Sequence, residues 1–207
     1  MSISNKVNRI IIATKNKGKS REIKDIIKID GVEFIDLNDL NFNDEIEETG
    51  KTFAENALIK ASTVYQLYRM PVIADDSGLV VDALGGKPGV YSARYAGENA
   101  TDEENYNKLL KEMNGVPDIE RKARFVCVAV FYYDIDKYYL EKGEVEGYIT
   151  YNPVGEEGFG YDPVFYVPEF KKTMAELPPE IKNRISHRGK AFRKLRPHII
   201  EYIKKQK

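Results

Sequence analysis

Residues 9–20 read RIIIATKNKGKS. Three isoleucines and an alanine in succession belong inside a fold, so Arg9 to Thr14 is expected to form a short buried strand. Lys15 to Lys19 reads as a polar loop, and Ser20 to Ile29 has helical spacing. A strand that turns through a glycine into a helix gathers backbone N–H groups and the positive end of a helix at one point, which favours an anion. Lys15, Lys17 and Lys19 add point charges there. A solvated basic loop is the alternative reading.

The same residues come close to a second pattern. Ala13-x-x-x-x-Gly18-Lys19-Ser20 differs from the phosphate-binding P-loop in having Ala at the first Gly. That loss removes the most permissive backbone position of the turn. Bulky side chains from Thr14 to Lys17 stand where a P-loop wraps phosphates with backbone. A P-loop NTPase releasing orthophosphate is the alternative function.

Outward from this unit, Asp44 to Gly50 is an acidic loop. Thr52 and Glu55 have the spacing of a capping box, opening a helix to about Arg69 with Phe53, Ala57, Ala61, Val64 and Tyr68 on one face. Lys60 falls on that apolar stripe, where it either snorkels outward or meets a phosphate. Pro71 to Ala74 is a buried strand expected to end in Asp75-Asp76-Ser77-Gly78, and Leu79 to Ala83 is expected to extend again. The adjacent carboxylates of Asp75 and Asp76 are costly unless paired or metal-bound, and a turn after Asp75 would bring both to one cleft. Simple turn chemistry is the alternative.

Residues 85–89 (GGKPG) force a loop. Thr101 and Glu104 cap a further helix to about Met113. Ala123 to Tyr133 and Lys137 to Thr150 read as long antiparallel strands around a tight turn at Asp134 to Asp136. Gly155 to Pro168 is loop with a short strand, and its Phe159 and Tyr161 either stack on a base or plug a core. Helices are expected after Pro179 and after Ser186, with Pro197 interrupting or ending the last. Strands and helices mix in irregular order, so a mixed sheet is expected rather than a regular doubly wound one.

The composition narrows the partners. Of 207 residues, 42% are hydrophobic and 31% charged, which fits one folded α/β domain over 1–207. Lys and Arg total 32 against 33 Asp and Glu, so the net charge of −1 argues against a nucleic-acid polymer as partner. The single Cys127 lies in an apolar run and offers neither disulfide nor thiolate metal site. The sequence contains no run of about 20 apolar residues, so no membrane span is expected and the cytoplasm is the expected location.

The segments ATKNKGKSRE, EETGKTFAENALIKA, ADDSGLVVDALGGKPGVYSARYAG, GFGYDPVF and ISHRGKAF follow one another in this order. Together they resemble the inosine triphosphate pyrophosphatase family, in its bacterial RdgB-like branch, from about Ile10 to Leu195. The resemblance implies an elongated α/β fold, a mixed twisted sheet flanked by helices with two lobes around a central cleft, and usually a homodimer. It implies hydrolysis of ITP, dITP and XTP to monophosphate and pyrophosphate with Mg2+. By the same resemblance Thr14, Lys15, Asn16, Lys17, Gly18 and Lys19 hold the triphosphate with help from Lys60. Glu48 and Asp76 bind the metal; Asp76, or Asp75 beside it, takes the proton. Ser77 contacts substrate, and Phe159, Gly160, Tyr161, Asp162, Lys182, His187 and Arg188 form the nucleoside pocket.

Overall fold

The computed structural model describes residues 8–206. Its strands form one seven-stranded mixed sheet, and the segment 9–20 supplies the first step of its assembly. β1 (Asn8–Ile12) leads into α1 (Lys17–Ile27), which returns the chain to β2 (Val32–Asp36), parallel to β1. α2 (Phe53–Tyr68) then carries it to β3 (Val72–Val81), parallel to β1 on the other side with Ile11 opposite Val72. After α3 (Asp102–Glu112) come β4 (Lys122–Asp134) and β5 (Lys137–Ile149), joined by a two-residue turn that only an antiparallel pair permits. β6 (Phe165–Val167) and β7 (Lys172–Thr173) extend the sheet antiparallel, giving the order β2-β1-β3-β4-β5-β6-β7. α4 (Pro179–Ile185) and α5 (His187–Lys205) close the chain.

Chain contacts divide the molecule into two compact units. The first comprises residues up to Asp75, then Val128–Glu141 and from Ala191 on; the second comprises Asp76–Cys127 and Lys142–Lys190. Each has its own apolar core. In the first, Ile11, Val72 and Ala74 of the strands pack on Ala57, Ala61 and Val64, the expected face of α2. In the second, Leu109 and Met113 pack with Leu79, Phe125, Phe165 and Leu177. Both capping boxes form, with the Thr52 and Thr101 hydroxyls accepting the N–H of Glu55 and Glu104.

Four expectations change. α1 begins at Lys17, not Ser20, because Asn16 caps it with a side chain that accepts the Lys19 N–H at 2.9 Å. β2 forms although the sequence reading named no strand there. β3 does not end at Asp75 but runs unbroken to Val81, since residues 75–81 are nearly all buried and extended backbone keeps their polar groups in the sheet. Pro197 neither interrupts nor ends α5; it lies within the helix on the exposed side. Its missing N–H and ring clash cost ~3 kcal/mol in a helix interior, which the buried row Ala191, Phe192, Leu195, Ile199 and Ile203 offsets by packing. No described helix is long and apolar enough to cross a membrane.

Candidate functional site

The parallel pairing of β1 with β3 sets the first part of the site. The Ala13 N–H donates to the Ile73 carbonyl at 2.7 Å, so the loop leaving β1 starts beside Ala74 and Asp75. Ligands of open α/β sheets bind outside the carboxyl ends of the strands, and this is such an end. A cavity of about 300 Å³ opens there, in the first unit. Its walls include Thr14, Lys15, Lys19, Glu48, Lys60 and Asp75.

Charge alternates around this cavity. Lys60 does not snorkel outward: it is 8% exposed, and its Nζ lies 3.2 Å from Glu48 Oε1. Lys19 Nζ lies 3.8 Å from Asp75 Oδ2, whose side chain is almost fully buried. Lys15 donates to the carbonyls of Asn43 and Asp44 at 3.1 and 2.7 Å and stands over the Phe42 ring, so it also ties the acidic loop to the first turn. Asn16 serves as the cap of α1, and Lys17 and Gly18 form its first turn. The arrangement suits a polyphosphate: ammonium groups for the oxygens, and carboxylate oxygens for an ion that bridges them.

Asp75 and Asp76 part company. Neighbours on an unbroken strand point to opposite faces, so the turn expected to bring both to one cleft is absent. Asp75 lines the lysine-walled cavity, and Asp76, the first residue of the second unit, is buried at 5% exposure.

The second unit gathers the remaining candidates. Lys182 Nζ and Asp162 Oδ2 lie 2.6 Å apart, both side chains under a tenth exposed. The same carboxylate oxygen accepts the Phe159 N–H at 2.9 Å. Lys182 and Arg188 both stand over the Phe159 ring, 4.7 and 5.4 Å from its centre. Arg188 Nη2 reaches Ser77 Oγ at 3.5 Å, and the His187 ring stacks on Phe125 with centroids 4.8 Å apart. Phe159 is thus half-buried between two cations, an aromatic face on which a base can stack.

Tyr161 takes the other role open to it. It is 4% exposed, its hydroxyl donates to the Ser92 carbonyl at 2.8 Å, and burial pushes its pKa up. It plugs the second core rather than presenting a ring. Gly160 contributes backbone: its N–H donates to Asp102 Oδ2 at 2.7 Å. Asp102, Ser92 and Phe125 therefore hold Gly160, Tyr161 and His187, and the sequence reading missed all three. Asp102 lies 58 residues from its partner, and no local pattern announces such a contact.

The chain matches the model of the Ham1 family over residues 10–198. It is 50% identical over 199 residues to the dITP/XTP pyrophosphatase of Bacillus cereus, covering 95% of this chain and 97% of that one. It is 53% identical over 195 residues to the protein of the same name from Geobacter sulfurreducens, covering 93% and 97%. Among solved structures, the Ham1 protein of Staphylococcus aureus superposes with a TM-score of 0.84 at 44% identity, covering 94% of this chain and all of that one. A HAM1 protein from Coxiella burnetii gives the same TM-score at 42% identity, with 94% and 99% covered. The family model, the relatives and the solved structures agree, and the chain belongs to the Ham1 family.

Proposed function

We propose that this chain hydrolyses non-standard purine nucleoside triphosphates, dITP, ITP and XTP, to the monophosphate and pyrophosphate, and so cleanses the nucleotide pool. The observation that carries the reading is the cavity where Lys15, Lys19 and Lys60 converge with Glu48 and Asp75. The names of its relatives from Bacillus cereus and Geobacter sulfurreducens point the same way. In the reaction, water attacks the α-phosphorus, the bond to the bridging oxygen breaks, and pyrophosphate leaves. A carboxylate of the Asp75-Asp76 pair takes the water's proton. The lysines meet the charge that grows on the departing pyrophosphate.

The donor chemistry fits magnesium. The cavity offers carboxylate oxygens and no thiolate or imidazole. Among the described residues no three Asp, Glu, His or Cys side chains form a ready cage, so a bound ion would complete its shell from waters and phosphate oxygens. Glu48 lines the cavity and would hold the ion, and Asp76 is the second ligand that the resemblance implies. Bound magnesium would neutralise charge on the phosphates.

Selection of the base rests on donors. A 6-oxo purine presents an acceptor where adenine presents an amino group; Arg188, over the Phe159 ring, and His187, next to it in the chain, supply donors. A site built for such a bond rejects the mismatched analogue by ~10⁴ or more. The resemblance extends the proposal to a homodimer in the cytoplasm. The test is incubation with ITP and Mg2+: pyrophosphate should appear, and Asp76→Asn should abolish it. Orthophosphate released from ATP instead would favour a P-loop NTPase.

A further inference from the structure

Three successive backbone N–H groups, those of Gly50, Lys51 and Thr52, donate to side chains at the start of α2. Lys51 and Thr52 bond to Glu55 Oε2 at 2.6 and 3.0 Å, as a helix cap requires. The third bond is not part of a cap. The Gly50 N–H donates to Asn56 Oδ1 at 2.8 Å, and Asn56 is 1% exposed beside the buried Ala57 of α2. Position 50 admits this only as glycine: a Cβ there would stand 2.6 Å from both Asn56 Oδ1 and Glu55 Cβ. Gly50 is two residues beyond Glu48. Lys60, one turn along α2 from Asn56, reaches the Glu48 carboxylate itself.

We propose that Asn56 is a positioning residue for Glu48. The same helix face grips the acidic loop twice, at the backbone through Asn56 and at the carboxylate through Lys60. Without the Asn56 bond, Glu48 samples positions that do not serve an ion. The inference rests on the reading of Glu48 as an ion ligand given above.

The test compares three variants with the wild type. Asn56→Ala removes the acceptor, and Asn56→Asp keeps one. Thr52→Ala weakens the cap of α2 but leaves the Asn56 bond. Two readouts apply: the Mg2+ concentration for half-maximal pyrophosphate release from ITP, and Mn2+ binding to the ligand-free protein followed by its paramagnetic resonance. Partners that hold a ligating carboxylate typically matter 10–100-fold for metal affinity. Asn56→Ala should therefore raise the Mg2+ requirement and weaken Mn2+ binding by about tenfold or more. The KM for ITP at saturating Mg2+ should change less than about twofold, the part of the interaction a metal-only effect leaves alone. Asn56→Asp should recover most of the loss, and Thr52→Ala should lower the melting temperature without moving either ion readout. If Asn56→Ala does not fold, Gly50→Ala, which pushes the loop off an intact Asn56, should give the same ion phenotype. Equal ion readouts in Asn56→Ala and Thr52→Ala, or no recovery in Asn56→Asp, would overturn the proposal. Mn2+ binding without pyrophosphate release would sink the hydrolase reading alone; absence of Mn2+ binding by the wild type would sink the positioning role.

Discussion

Gly158 and Gly160 have backbone angles that L-residues rarely adopt, with φ of +86° and +65°. Their surroundings differ. A Cβ at 160 meets nothing within 4 Å, whereas one at 158 would overlap the Asp162 carboxylate and come within 3.0 Å of Lys182 Nζ. Gly160→Ala therefore carries only the strain of a left-handed residue, ~1–3 kcal/mol. Gly158→Ala carries that strain and also drives apart a buried ion pair, a change that costs ~3–5 kcal/mol when one partner is lost. In urea denaturation Gly158→Ala should be the less stable variant by at least about 2 kcal/mol. Its KM for ITP should rise further than that of Gly160→Ala. Equal stabilities would mean that a Cβ at position 158 leaves the Asp162–Lys182 pair in place. The resemblance names Asp162 and Lys182 as separate candidates, and Gly158 enters only as part of the segment GFGYDPVF. It does not show that they share one point, because the contact joins residues up to 24 apart through an irregular loop with no periodic signal.

At the scale of elements, Asp36 shows how a strand end organises a helix. It terminates β2, is 7% exposed, and accepts the Ser20 hydroxyl at 2.6 Å and the N–H groups of Asn38 and Asp39 at 2.9 and 3.1 Å. Burial raises its pKa, but the Ser20 hydroxyl, the backbone N–H groups and Lys24 outweigh it, and the carboxyl sits below its ordinary value. Its contribution to stability is therefore complete above the unfolded pKa of ~3.9 and is lost as pH falls through the lower folded value. Asp36→Asn should cost ~1–3 kcal/mol at pH 7, because bonds to a charged acceptor are weakened. It should also flatten the acid limb of stability measured from pH 5 to pH 2. An acid limb as steep in Asp36→Asn as in the wild type would assign it to other carboxylates. β2 itself, VEFID, is short and only half-buried for most of its length, so its alternation gives a weak signal. β1, α2 and α3 were legible because buried runs and capping boxes are local. The unbroken passage of β3 from Asp75 through Gly78 was not, because Asp-Asp-Ser-Gly has turn-forming residues that the burial of most of the strand overrides.

For the molecule as a whole, the chain order matters more than either core alone. The chain passes from one unit to the other after Asp75, Cys127, Glu141 and Lys190. Each passage falls inside a regular element, β3, β4, β5 or α5, and none at a linker. A strand cannot lose half its ladder without exposing backbone groups of the other half, each costly when left unbonded. The two cores should therefore melt as one cooperative unit. Ile11 of the first core and Leu109 of the second are both fully buried. Ile11→Ala and Leu109→Ala should each cost ~2–5 kcal/mol. The chain has no tryptophan and 14 tyrosines, so circular dichroism and amide exchange are the appropriate probes. Each variant should show a single thermal transition, and each should lower the protection of the slowest amides in both cores by the same free energy, since those amides exchange through global unfolding. If Ile11→Ala instead weakened protection around Ile11 and Val72 while amides around Leu109 kept theirs, the units would unfold separately despite the strands they share.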